Sequence, residues 1–126
     1  FKTYKIMNIL VIGIGGALGA ISRYVLSEII SKYFESSYHI GTFIVNVLGC
    51  LLVGFIFSYF ADLRSELQLF FVIGFLGSFT TMSAFSMQAV EMFNNQSFGE
   101  ASMYIFMTIL FTILATYIGL TLGSLK

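Results

Sequence analysis

"VIGIGGALGAISRY", residues 11–24, places four glycines within seven positions and closes an apolar run with Arg23. Two readings compete for it. A dinucleotide loop spaces its glycines as G-x-G-x-x-G between a strand and a helix, with an acidic residue about 20 positions later. A membrane helix sets small residues one turn apart so that another backbone can approach closely. Gly13, Gly15 and Gly19 miss the nucleotide spacing, whereas Gly15/Gly19 and Gly16/Ala20 are small-x-x-x-small pairs. The flanks favour the membrane reading, because the run is apolar on every face and lacks the alternation of a strand.

The rest of the chain agrees. Its 126 residues are 58% hydrophobic and 10% charged, with a mean hydropathy of +0.95. A soluble domain carries about 25% charged residues, so water alone cannot solvate this surface. Six basic and six acidic side chains leave no positive footprint for nucleic acid. The single cysteine, Cys50, excludes an internal disulfide framework and any multi-cysteine metal site. Proline is absent, which suits long uninterrupted helices.

The charges also mark the spans. Residues 6–22, 36–61, 67–90 and 101–125 carry none, and each run meets the roughly 17–25 residues that a helix needs to cross hydrocarbon. The pattern predicts an all-α membrane protein, a single domain over 1–126, with four transmembrane helices near 5–30, 41–61, 67–94 and 98–124. Apolar character on all faces argues against a transmembrane β-barrel. An even number of spans puts both ends on one side of a cell membrane. Lys2, Lys5, Arg64 and Lys126 fall on that side and Lys32, with Arg23, on the other. This bias toward cytoplasmic ends is weak and compatible with dual topology. Four short helices hardly enclose a polar pathway, so an oligomer is expected, with the glycine faces as its contacts.

Polar side chains inside spans mark pathways or pair with something. Arg23, late in the first span, either snorkels to the headgroups or forms an electropositive vestibule. Thr42 and Asn46 share a face of the second span, where the amide is either glue between helices or a donor lining a pore. In the third span, "IGFLGSFTTMSAFSMQ" (73–88) mixes glycines, hydroxyls and phenylalanines. That mixture predicts a helix broken mid-span, with exposed carbonyls for a small cation and ring edges that can face an anion. Tyr104, Thr108, Thr112 and Thr116 recur every fourth residue and form a hydroxyl stripe on the fourth span. His39 reads as a surface loop residue.

With these residues assembled, the chain resembles the Fluc (CrcB) family of fluoride channels. "GGALGAISRY" (15–24) is similar to the family's glycine-rich run ending in Arg-Tyr, and "GTFIVNVLG" (41–49) to its second-helix pattern. "GFLGSFTTMSAFS" (74–86) is similar to its Gly-x-x-Gly-x-x-Thr-Thr-Phe-Ser-Thr-Phe-Ser stretch, except that Met82 replaces a ring phenylalanine and Ala84 a threonine. The resemblance implies a passive, fluoride-selective channel that lets F⁻ leave the cytoplasm and lowers its toxicity, and not an enzyme. It implies an antiparallel dimer in the lipid bilayer, either a homodimer or a heterodimer with a related chain. Its fluoride pathway would run along Arg23, Thr42, Asn46, Met82, Ser83, Phe85, Tyr104, Thr108 and Thr112. A structural sodium ion would sit at the dimer centre on the backbone carbonyls of Gly77 and Thr80. The rival is a small four-helix proton-coupled multidrug exporter, which needs a buried carboxylate. All six acids lie at or beyond span ends, with Glu91 the nearest candidate. A purely structural membrane adaptor would leave Arg23, Asn46 and the hydroxyl-rich stretch without a role.

Overall fold

The structure, a computed structural model, describes residues 2–34, 38–61 and 65–125. Among them there is no strand. The glycine-rich stretch lies wholly inside α1 (Lys2–Tyr33), so it is helix and not a nucleotide loop. The helix α2 spans Tyr38–Tyr59. The third span opens with α3 (Ser65–Gln68), widens into a π-helix over Leu69–Leu76 and closes its first half with α4 (Gly77–Phe79). Its second half is α5 (Met82–Asn94), followed by α6 (Phe98–Gly123). Four stretches, Lys5–Tyr33, His39–Tyr59, Glu66–Asn94 and Phe98–Gly123, are long and apolar enough to cross a membrane. The chain is a multi-pass protein of the cell membrane.

The expected break in the third span falls at Thr80 and Thr81. Thr80 has ψ 150° and Thr81 has φ −144° and ψ 109°, so two extended residues separate α4 from α5. The π-helix before it was not predicted. It faces α1, where backbone meets backbone: a Cβ added at Gly19 would stand 2.1 Å from the Phe75 carbonyl oxygen, and one at Gly15 2.5 Å from that of Phe70. The α2–α6 packing, the most extensive in the chain, is built alike, with a Cβ at Gly119 falling 2.1 Å from the Leu51 carbonyl oxygen. Gly15 and Gly19 are thus buried against their own chain. For Gly15 and Gly19 the expectation of an oligomer contact is corrected, because the space they leave is already filled by the third span.

Two apolar clusters hold the halves of the broken span. Val45, Leu76 and Phe79 pack together before the break, and Phe85, Ala89 and Tyr104 after it. Outside these clusters the surface stays apolar, with Ile9, Ile14, Ile21, Met103, Phe106 and Ile113 exposed. Such a surface belongs in lipid or against another chain.

Candidate functional site

An extended pair of residues inside a membrane releases backbone donors and acceptors that need partners. Asn46 on α2 supplies two. Its Oδ1 accepts the Thr81 N–H at 2.7 Å, and its Nδ2 donates to the Thr81 carbonyl at 3.1 Å, as a facing peptide would. Gly49, one turn below, makes room for this approach: a Cβ there would lie 2.3 Å from Thr80 Cγ2. The Thr81 hydroxyl accepts the Ala84 N–H at 3.3 Å, capping α5, and lies 3.2 Å from Ser83 Oγ. Thr80 Oγ1 donates to the Leu76 carbonyl at 3.0 Å. Arg23 Nε donates to the Ser78 carbonyl at 3.3 Å, so this half-buried arginine tethers α1 to the end of α4. Both of these polar residues therefore hold the break.

A cleft of about 220 Å³ opens beside it. Asn46, Thr80, Thr81 and Phe85 line one side, and Thr108 and Thr112 the other. Met82 lies at its edge, 72% exposed, with Ser83 exposed beside it. The hydroxyl stripe of α6 divides. Thr112 Oγ1 donates to the Thr108 carbonyl at 2.7 Å and Thr116 Oγ1 to the Thr112 carbonyl at 3.0 Å, the bland arrangement open to any helical threonine. Thr108 Oγ1 differs: it is buried and has no hydrogen-bond partner among the described residues. An uncompensated buried hydroxyl costs about 1–3 kcal/mol.

Thr42 and Tyr104 do not line this cleft. They are joined by a residue that the sequence analysis passed over, Gln88. Its Nε2 donates to Thr42 Oγ1 at 2.8 Å, and its Oε1 accepts the Tyr104 hydroxyl at 2.8 Å. All three are buried. The Tyr104 ring lies 5.2 Å from that of Phe85, centroid to centroid, which links the buried network to the cleft wall. A glutamine inside a membrane span, one turn beyond Phe85, was the available signal. His39 is also corrected: it belongs to the first turn of α2, half-buried, with its ring edge-on to Tyr104 at 5.6 Å.

Gly77 and Thr80 border a smaller cleft of about 140 Å³ on the other side of the break. An unbroken helix would bond the Gly77 carbonyl to the Thr81 N–H, but that N–H is held by Asn46. Gly77 itself is exposed. The Gly77 carbonyl released in this way is a hard oxygen donor of the kind that coordinates sodium where a membrane helix unwinds. Among the described acids, Glu28, Glu66, Glu91 and Glu100 are all exposed. Glu35 and Asp62, like Arg64 and Lys126 of the charge-bias expectation, lie outside the described residues.

Fold and site together define a small multi-pass membrane protein with a cleft lined by an asparagine and threonines at a helix break, the arrangement of an ion pathway. The profile of the CrcB-like protein family, Camphor Resistance (CrcB), matches residues 10–120. A relative from Dehalococcoides mccartyi (strain BAV1), named fluoride-specific ion channel FluC, is 40% identical over 121 residues, covering 94% of this chain and 93% of its own. A Bacillus cereus (strain ATCC 14579) protein, fluoride-specific ion channel FluC 1, is 34% identical over 127 residues, covering 98% and 88%. Another from Flavobacterium psychrophilum, also named fluoride-specific ion channel FluC, is 32% identical over 120 residues, covering 93% and 97%. The chain belongs to the CrcB family.

Proposed function

We infer that this chain is a fluoride-selective passive ion channel, and that fluoride passes through the cleft at the break. The observation that carries the location is Thr108 Oγ1, a buried hydroxyl with no partner among the described residues, on a residue that lines the cleft. Fluoride holds its water tightly, so a selective path must replace that water with donors. The Thr108 hydroxyl can turn its hydrogen into the cleft, and Asn46 Nδ2 has a second hydrogen beyond the one given to Thr81. The Phe85 edge, with its positive quadrupole, adds a weak contact. None of these binds an anion strongly, which lets the ion leave again. Arg23 holds its guanidinium beside the break, with N–H groups beyond the one given to Ser78, and raises the local anion concentration. Flow follows the fluoride gradient, outward when fluoride accumulates inside. The exporter reading is not favoured, because the described acids lie on exposed positions.

A single chain leaves the cleft open toward its apolar outer surface, and a second chain would close it. The antiparallel arrangement, as a homodimer or with a related chain, is part of this reading. So is a structural sodium on the Gly77 and Thr80 carbonyls, where it would supply positive charge to lock the two broken spans together. The test is growth: a bacterium stripped of its own fluoride export and expressing this chain should grow in fluoride that arrests the empty strain. No rescue by protein verified in the membrane, alone and with a related second chain, would overturn the proposal.

A further inference from the structure

A second cleft, of about 260 Å³, lies between the first turns of α2 and α6 and carries a donor set that the ion pathway does not use. His39 lines it from α2, and Glu100, Met103 and Met107 line it from α6. The three α6 residues follow i, i+3, i+7 spacing and so share one face of the helix. Met103 is 66% exposed and Met107 half-buried, and both line the cleft. The His39 ring is set edge-on against Tyr104, which limits its rotation. His39 lies in the first turn of α2 and Glu100 in the first turn of α6, so the cleft sits where both helices begin.

We propose that this cleft binds a soft monovalent cation, Cu(I) or Ag(I), through the His39 imidazole and the Met103 and Met107 thioethers, with the Glu100 carboxylate at its rim. Thioethers are poor ligands for hard or borderline ions and select soft ones, and imidazole joins them readily. A zinc-type site is not supported: among the described residues no three His, Cys, Asp or Glu side chains come together. The Glu100 carboxylate offsets the positive charge and draws the cation in. Cys50 and Met82, also soft ligands, lie in the clefts at the break and not in this one.

That separation sets the test. Silver nitrate is titrated calorimetrically, in chloride-free buffer, into the detergent-purified full chain carrying Cys50→Ser, so that the thiol takes no part. The proposal expects stoichiometric Ag(I) binding that survives C50S. Adding M103L and M107L should weaken it by more than the roughly tenfold that even loss of an outer-shell partner costs. Methionine-to-leucine changes conserve volume, so these variants should fold, and their silver-free fluoride efflux should match that of the C50S parent. Loss of all binding in C50S alone would overturn the proposal, as would binding unchanged by M103L and M107L. Because efflux is measured without silver, a failure here is distinct from a failure of the channel reading.

Discussion

Replacing Asn46 with leucine removes the side chain that stands in for a peptide at the break. The two bonds to Thr81, at 2.7 and 3.1 Å, disappear together, and a buried position takes an apolar group of similar volume. Each orphaned backbone group costs about 1–3 kcal/mol. Thr81 is half-buried, so water relieves part of that cost, and a total of about 2–3 kcal/mol is expected. Set against a stability of about 5–15 kcal/mol, the loss should be plain in thermal unfolding of the detergent-purified protein. Fluoride efflux should fall as well, since a donor of the pathway is gone and Thr80 and Thr81 can repack. Asn46→Asp separates these effects. One carboxyl oxygen still accepts the Thr81 N–H. Burial favours the protonated acid, so the assay is run at alkaline pH, where the other oxygen, once ionised, faces the Thr81 carbonyl and puts negative charge in an anion path. N46D should therefore lose efflux as fully as N46L. An N46L protein with the parent unfolding midpoint, or an N46D protein with parent efflux, would refute this reasoning.

Other outcomes follow from the same geometry. Thr108→Val exchanges an unpartnered buried hydroxyl for a methyl of the same shape, so thermal stability should hold or rise by about 1 kcal/mol while fluoride efflux drops; parallel unfolding and efflux assays read the two separately. Gln88→Leu cuts both 2.8 Å bonds that join Thr42 to Tyr104 and should lower efflux, whereas Gln88→Glu can accept from both hydroxyls and should retain most of it. Gly19→Ala places a Cβ 2.1 Å from the Phe75 carbonyl oxygen and should destabilise the fold by about 1–3 kcal/mol. Gly13→Ala meets nothing within 4 Å and should stabilise α1 by up to about 1 kcal/mol, as read by thermal unfolding.

The spans were legible because charge ends each apolar run, and the break was legible because glycine and hydroxyl residues crowd the middle of the third span. Asn46 and Thr42 stood out as amide and hydroxyl in hydrocarbon, but spacing alone does not reveal what each touches. The structure gives Asn46 to Thr81, 35 positions away, and Thr42 to Gln88, 46 positions away. Gln88 escaped notice because its importance comes wholly from those distant partners. The π-helix was equally hidden, since it arises where glycines bring the α1 backbone against residues 69–76. Thr108 and Thr112 are the same residue at the same spacing. Only their surroundings decide that one hydroxyl bonds its own helix and the other has no partner among the described residues.

The most direct test of the account is fluoride efflux from liposomes that hold the purified chain. Vesicles loaded with potassium fluoride are given valinomycin to carry the balancing potassium, and a fluoride electrode follows release; matched vesicles loaded with chloride run alongside. Rapid fluoride release with the chloride vesicles silent is the predicted result, and it would also show that the chain suffices as a homo-oligomer despite Met82. Chloride released as fast as fluoride would contradict the account, as would silence from folded protein reconstituted both alone and with a related second chain.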